Sequence, residues 1–223
     1  TQSIVVSTSG SYTVEVTDNA SCVSTSSATV VTVSSFSYTG ILFSENMGTP
    51  GGNTFVNSYT GWQNPGATFQ STLANQSDVR TSTNSAGAYT DASGGGNVFM
   101  GTAGGTDPRD FIISGINTLG YSGITLSFGM LRTAPDTLFV SVSSDGINYS
   151  SITTTQQPVT NNSWALVHDS IGTIPSVANL YLKFSKSTST SFSIDDVTLR
   201  GTTNTFAVTA NGPTTICSGK ALV

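Results

Sequence analysis

Two adjacent carboxylates, Asp195 and Asp196, are the residues whose position most favours a chemical role. Phe192 and Ile194 share one parity before this pair, whereas Val197 has the opposite parity after it. Side chains alternate between the two faces of a strand, so the change of phase predicts a β-bulge. A bulge would turn one carboxylate inward, where it needs an arginine, backbone donors or a cation. The alternative is that both aspartates are solvated or accept backbone hydrogen bonds at a turn.

Catalytic chemistry has few candidates in this sequence. His168 is the one histidine, which excludes a histidine-based zinc cluster, and no Gly-x-Ser-x-Gly motif is present for a serine nucleophile. A glycosidase needs two carboxylates about 5 to 10 Å apart. Glu15 and Glu45 are the only glutamates, and nothing marks a pair of aspartates for that role. We therefore expect a protein that is not an enzyme.

Aromatic side chains in polar surroundings are the candidates for ligand binding. Exposed rings of carbohydrate-binding proteins stack on the faces of sugars, and Tyr59 and Tyr149 lie among polar residues that favour exposure. Trp62 and Trp164 are expected to pack in the core instead. Tyr59 and Tyr149 are therefore predicted to contact a ligand.

The composition excludes two classes of partner. Only 9% of the 223 residues are charged, the net charge is −5 and the isoelectric point is near 4.4. Binding to nucleic acid or to an anionic membrane requires clustered positive charge, whereas the 7 lysines and arginines are scattered. No apolar run approaches the roughly 20 residues of a membrane span. We expect neither nucleic-acid binding nor membrane insertion.

Alternating apolar residues and glycine-rich turns predict an all-β fold. Asp145-Gly146, for example, is a hairpin dipeptide that follows Leu138, Val140 and Val142. About ten short strands with regular turns are typical of a β-sandwich or jelly roll. The predicted strands are 40–44, 66–73, 79–82, 97–102, 110–114, 124–131, 136–143, 164–170, 178–185 and 191–200. The prediction is a jelly-roll β-sandwich over residues 38–201, followed by a linker at 202–205.

The two ends of the chain resemble pieces of another kind of domain. Residues 9–18, followed by Cys22, resemble the closing hairpin of Ig-like repeats in surface proteins of gliding bacteria that use type 9 secretion. Residues 212–219, which include Cys217, resemble the opening of such a repeat. The resemblance implies that 1–36 and 205–223 are incomplete Ig-like segments. It also implies disulfides from Cys22 and Cys217 to cysteines outside this chain. A Cys22–Cys217 bridge and two free thiols are the alternatives.

The central segment resembles jelly-roll modules, including MAM-like domains and several carbohydrate-binding modules. The resemblance rests on 43–46, Trp62, Asp78, 87–89 and the run 193–199, Ser-Ile-Asp-Asp-Val-Thr-Leu. In such modules a structural Ca²⁺ can lie between the first and last strands. The resemblance therefore implies a calcium site formed by Glu45, Asp195 and Asp196, since Ca²⁺ prefers oxygen ligands.

These features lead to two hypotheses about the function of the protein. The leading hypothesis is a structural and adhesive module of a large extracellular or cell-surface protein, with a glycan or surface protein and neighbouring Ig-like domains as partners. The alternative is a carbohydrate-binding module attached to an extracellular hydrolase. Thr137 and Ser170 lie in Asp-Ser/Thr-aliphatic triplets that resemble an O-glycosylation signal of the same bacterial group.

Overall fold

The structure is a computed structural model, and it describes residues 5–74, 76–101, 109–155, 160–170 and 173–211. The chain divides into two compact units. One unit is Thr39–Thr203, and the other contains the described residues of Thr1–Tyr38 and Asn204–Val223. In the part of the chain that the structure describes, no helix is long and apolar enough to cross a membrane.

Strands make up nearly all of the regular structure. A single 3-10 turn, Val56–Ser58, is the one helical element among the described residues. The strands are β1 (Gly10–Tyr12), β2 (Glu15–Thr17), β3 (Val23–Thr25), β4 (Thr29–Glu45), β5 (Thr54–Phe55), β6 (Thr68–Gln70), β7 (Ser77–Arg80), β8 (Asn97–Met100), β9 (Arg109–Ile116), β10 (Tyr121–Arg132), β11 (Phe139–Ser143), β12 (Ser150–Ile152), β13 (Thr154–Thr155), β14 (Trp164–Ser170), β15 (Leu180–Lys186) and β16 (Phe192–Asn211).

The central unit is a sandwich of two antiparallel sheets. The larger sheet has the order β13-β14-β10-β16-β8-β7-β5, with β4 also paired to β16. The smaller sheet has the order β12-β11-β15-β9-β6. Strands that are far apart in sequence are therefore neighbours in both sheets. The predicted all-β sandwich is confirmed.

Alternation along each strand builds the core between the sheets. Along β15 the pattern is strict: Leu180, Leu182 and Phe184 are buried, and the residues between them are partly exposed. Phe111 packs against Phe184 with ring centroids 6.0 Å apart. Such alternation leaves the other face of each sheet free for polar side chains and ligands.

Each of the ten predicted strands overlaps a strand of the structure, but two details of the prediction are wrong. The predicted linker at 202–205 is part of β16, which continues to Asn211. The alternation in residues 3–33 predicts one hairpin, with a turn at 18–21 between the strand of Tyr12 and that of Val30. Those two strands, β1 and the start of β4, do pair, but the turn at 18–21 joins β2 to β3. The assignment of the terminal segments to Ig-like domains stays a prediction.

Candidate functional site

Glu45 lies at the end of β4 and is completely buried. Its Oε1 accepts hydrogen bonds from the backbone N–H groups of Met47 (2.9 Å) and Gln63 (3.0 Å). Its Oε2 accepts from the backbone N–H and the side-chain amide of Asn64, both at 3.0 Å. Four donors therefore stabilise the carboxylate, which ties β4 to the loop at residues 61–64.

The predicted β-bulge at Asp195 and Asp196 is confirmed. Ser127 of β10 lies opposite Thr198 of β16, and Gly129 lies opposite Asp195, so the register shifts between them. Asp196 adopts the left-handed conformation with φ of 50°. A non-glycine residue in that region costs free energy, which the surrounding contacts must offset. The bulge thus aims two consecutive carboxylates at one segment.

Residues 82–96, here called the Tyr89 segment, lie on the outer face of the larger sheet. Hydrogen bonds to Asp195 and Asp196 hold the segment there. The Ser85 hydroxyl donates to Asp195 Oδ2 at 2.7 Å. The Ser93 backbone N–H and the Tyr89 hydroxyl donate to Asp196 Oδ2 at 3.0 and 2.6 Å. The carboxylates therefore serve as anchors for the Tyr89 segment.

Burial under this segment changes the acidity of the bulge residues. Asp195 has no exposed surface, and desolvation raises the pKa of its carboxyl group to about 7. Hydrogen bonds from Ser85 and Ser93 oppose that shift, and the Asp196 charge adds to it. Desolvation and the bond to Asp196 raise the pKa of the Tyr89 hydroxyl above its ordinary value. Tyr89 therefore stays protonated and acts as a donor.

Gly129 has no side chain, and this leaves room for the Tyr89 ring. A Cβ atom at Gly129 would overlap the Tyr89 hydroxyl and ring. Gly129 lies in the middle of β10, where glycine otherwise weakens a strand. The glycine allows the tyrosine ring to lie directly on the sheet.

The three predicted calcium ligands all accept hydrogen bonds from protein donors. Among the described residues, no group of three or more histidine, cysteine, aspartate or glutamate side chains could hold a metal ion. The oxygens of Glu45 face protein N–H groups, and those of Asp195 and Asp196 face the Tyr89 segment. Backbone and hydroxyl donors thus stand where the prediction placed Ca²⁺. Calcium binding by Glu45, Asp195 and Asp196 stays an untested prediction.

Tyr59 is half-buried, and both its hydroxyl and its ring contact other residues of the protein. Its hydroxyl donates to the carbonyl oxygens of Met47 (3.1 Å) and Gly61 (3.2 Å). Its ring contacts Trp62 edge-on, with centroids 4.9 Å apart, and Trp62 stacks on Phe69 at 4.0 Å. The predicted role of Tyr59 in ligand binding stays a prediction.

Tyr149 lies at the outer face of the smaller sheet and is half-buried. The Lys183 ammonium is 5.1 Å from the centroid of its ring, within the range of a cation–π contact. The same ammonium forms an ion pair of 3.4 Å with Asp110 Oδ2. Asp110 in turn accepts hydrogen bonds from the Thr72 backbone N–H and hydroxyl. A chain of contacts from Thr72 to Tyr149 therefore fixes the position of the lysine.

Beside Lys183 the sheet carries a recess, here called the Phe139 pocket. Its volume is about 420 Å³, and it is lined mainly by apolar surface with a few polar groups. Phe139 is 50% exposed and Leu73 is 38% exposed. The lining residues that matter here are Thr72, Leu73, Asp110, Phe139, Lys183 and Ser185. Small-molecule sites typically combine such apolar walls with a few fixed polar groups.

The sequence contained a signal for Phe139 that the prediction did not use. Leu138, Val140 and Val142 face inward, so the parity of β11 places the aromatic residue between them on the outer face. Asp110 and Lys183 could not be linked in this way. Their ion pair depends on the pairing of β9 with β15, which are about 70 residues apart.

Other predicted sites are placed as follows. Thr137 is exposed. Ser170 ends β14, and its side chain lies outside the described part of the structure. Cys22 is exposed and free, and Cys217 lies outside the described residues, so the three pairing alternatives stay open. O-glycosylation at Thr137 and Ser170 stays a prediction.

Comparisons with known proteins find likenesses among solved structures. No family model and no curated protein matches the chain. The chain is similar to the crystallographic structure of the N-terminal CBM22-1 and GH10 modules of endo-1,4-β-D-xylanase 10B from Clostridium thermocellum, complexed with xylohexaose. The identity is 13%, the TM-score is 0.45, and the match covers 71% of this chain and 28% of that chain. The chain spans less than a third of that structure, and a likeness at this level carries no argument about its ligand.

Proposed function

We propose that the central unit is a non-catalytic carbohydrate-binding module that holds a neutral sugar in the Phe139 pocket. The observation that carries the proposal is the half-exposed Phe139 ring beside the fixed Lys183–Asp110 pair. A sugar ring has apolar C–H faces and hydroxyl groups around its edge. An aromatic wall and nearby charged groups match both features.

Preorganisation supports this proposal. Asp110 is buried and receives donors from Ser71 and Thr72, so its carboxylate does not need to move when a ligand arrives. Lys183 lies between Asp110 and the Tyr149 ring. The fold already holds these polar groups in place, so they lose little conformational entropy when a ligand binds. The Lys183 ammonium retains donor capacity for a sugar hydroxyl.

Nothing in this arrangement requires a chemical step. Asp110 accepts three hydrogen bonds and an ion pair, which suits a carboxylate that positions other groups. We propose that sugar binding replaces the structural and adhesive role as the leading hypothesis. An extracellular location and attachment to a larger secreted protein belong to the same proposal.

The test measures retention of the full chain on insoluble and soluble neutral polysaccharides, including xylan, cellulose and mannan. Phe139→Ala is expected to reduce affinity at least tenfold, which corresponds to about 1.4 kcal/mol. Leu119→Ala is the matched control, because Leu119 is an apolar residue that is 62% exposed and lies outside the pocket. Thermal unfolding of both variants checks that they are folded.

Two outcomes would overturn the proposal. Equal losses in the Phe139 and Leu119 variants would show that the pocket is not the site. A folded wild-type chain that no neutral polysaccharide retains would return the structural and adhesive role to first place.

A further inference from the structure

The outer face of the larger sheet contains a second recess, which the proposed function does not use. It is here called the Arg200 groove, and it has a volume of about 500 Å³. It crosses β14, β10, β16 and β4, with the Tyr89 segment as one wall. Its lining is predominantly polar, in contrast to the Phe139 pocket. The two recesses lie on different sheets and share no residue.

Arg200 is an unusual cation in this chain. Its side chain is exposed and lines the groove, and it makes no hydrogen bond or ion pair within the described residues. The other five cations of the described chain all have partners. Arg80 pairs with Asp78, Lys183 pairs with Asp110, and Arg109, Arg132 and Lys186 donate to backbone carbonyl oxygens. Arg200 is the one cation of these six that has no protein partner among the described residues.

His168 adds a second nitrogen donor to the same groove. It lies opposite Ser127 on one side of β10, whereas Arg200 lies opposite Thr125 on the other side. Their backbones lie two strand spacings and two residues apart, a distance of about 12 Å. Both side chains line the groove, so both can contact one group bound between them. One carboxylate placed between them would meet a guanidinium and an imidazole.

Carboxylates line the groove as well. Asp91 is exposed and accepts no hydrogen bond from the described residues, and Asp196 uses Oδ2 for Tyr89 and Ser93. No ion pair joins either aspartate to Arg200 in the described structure. Hydroxyl groups of Thr125, Ser127, Thr198 and Ser44 also line the groove. The groove therefore offers separate donors for an anion and acceptors for hydroxyl groups.

This combination narrows the class of ligand. A neutral sugar would bring no negative charge to the Arg200 guanidinium, and a phosphate or sulfate alone would bring no hydroxyl donor to Asp91. A sugar that carries one carboxylate and several hydroxyls satisfies all of them. From the unpaired Arg200 and the carboxylates around it we propose that the groove binds an acidic saccharide of the uronic-acid type.

The test uses oligogalacturonides and the full chain, with affinity measured by calorimetry at low and moderate salt. The wild type is expected to bind, with an affinity that falls as salt rises because exposed charges are screened. Arg200→Gln is expected to lose at least tenfold in affinity. Arg200→Lys keeps the charge and is expected to recover part of the loss.

The ligand supplies the matched control. The methyl-esterified oligomer has the same ring and hydroxyls without the negative charge, and it is expected to bind at least tenfold more weakly. Equal binding of the two oligomers would overturn the proposal, as would equal binding by wild type and Arg200→Gln. Absence of binding by the folded chain at millimolar concentration would also overturn it. Neutral polysaccharide binding, measured on the same samples, tests the Phe139 pocket separately.

Discussion

Burial of a single carboxyl group, Asp195, sets the pH response expected of the central unit. The side chain has no exposed surface, and desolvation raises its pKa to about 7 from an ordinary value of 3.8. The folded state therefore favours the neutral form. The contribution of this group to stability is fully present below about pH 4 and is lost as the pH rises through about 7.

Asp195→Asn tests this linkage. The amide stays neutral, so the stability of the variant relative to wild type is expected to rise between about pH 4 and about pH 8. The change is at most about 4 kcal/mol at 1.36 kcal/mol per pKa unit. Urea unfolding at several pH values measures the difference. A difference that does not depend on pH would show that Asp195 stays charged in the folded protein.

Asp145 provides a control of opposite sign. Hydrogen bonds from Asn148 and Ile147 lower the pKa of its carboxyl group below the ordinary range. Its contribution to stability is present at neutral pH and is lost as the pH falls below about 4. Asp145→Asn is therefore expected to be most destabilising, relative to wild type, near neutral pH.

At the level of single residues the sequence predicted the bulge but not its partners. The change in parity between Ile194 and Val197 located the bulge, because parity is a local property. The donors to Glu45 and Asp195 come from loops at residues 47–64 and 85–93. The paths of those loops depend on tertiary packing, so the sequence pattern left the choice between donors and a cation open.

The Tyr89 segment is the element whose placement depends most on one position. Gly129 opens a space in the middle of β10 that the Tyr89 ring occupies. Further contacts hold the segment at other points, including a hydrogen bond of 3.0 Å from the Trp164 indole to the Thr83 carbonyl. The ring and the sheet therefore behave as one packed unit, and their substitutions should be coupled.

Gly129→Ala is expected to lower the free energy of unfolding by about 1–3 kcal/mol, the usual cost of forcing extra volume into a packed site. In a Tyr89→Ala background the same substitution should cost less than about 1 kcal/mol, because the clash is gone. Urea unfolding of the four proteins gives the coupling energy. Additive effects would contradict the contact between Gly129 and Tyr89.

At the scale of the strands, the alternation of apolar and polar residues was enough to locate the main elements. It predicted ten strands, because one face of each is buried, and each of the ten overlaps an observed strand. Short strands such as β5 and β13 escaped prediction, since two residues cannot show a pattern. Near the start of the chain the strands of Tyr12 and Val30 do pair, as the alternation predicts, but the alternation did not reveal the intervening β2–β3 hairpin.

At the scale of the whole molecule, the buried core belongs to the central unit. Every residue of the core cluster lies between Phe43 and Leu199. In the terminal segments most large apolar side chains that the structure describes are exposed, including Val14, Val23 and Phe36. The free energy gained by burying apolar surface is therefore concentrated in residues 39–203.

We expect residues 39–203 to fold without the terminal segments. The isolated fragment should unfold in one cooperative transition, with a free energy of unfolding that equals that of the full chain within the extrapolation error of about 10–15%. Circular dichroism and urea titration of the two proteins make the comparison. A fragment that lacks a cooperative transition would show that the terminal segments contribute to the core.

The contact between Tyr89 and Gly129 also limits how the sequence can change during evolution. A homologue that gains any side chain at position 129 must lose the tyrosine, because both cannot occupy the same space. A homologue that loses the tyrosine no longer needs glycine there and is free to adopt a β-branched residue, which strands prefer. In an alignment of related chains these two positions should therefore covary, and glycine at 129 would identify members that keep the wall of the groove.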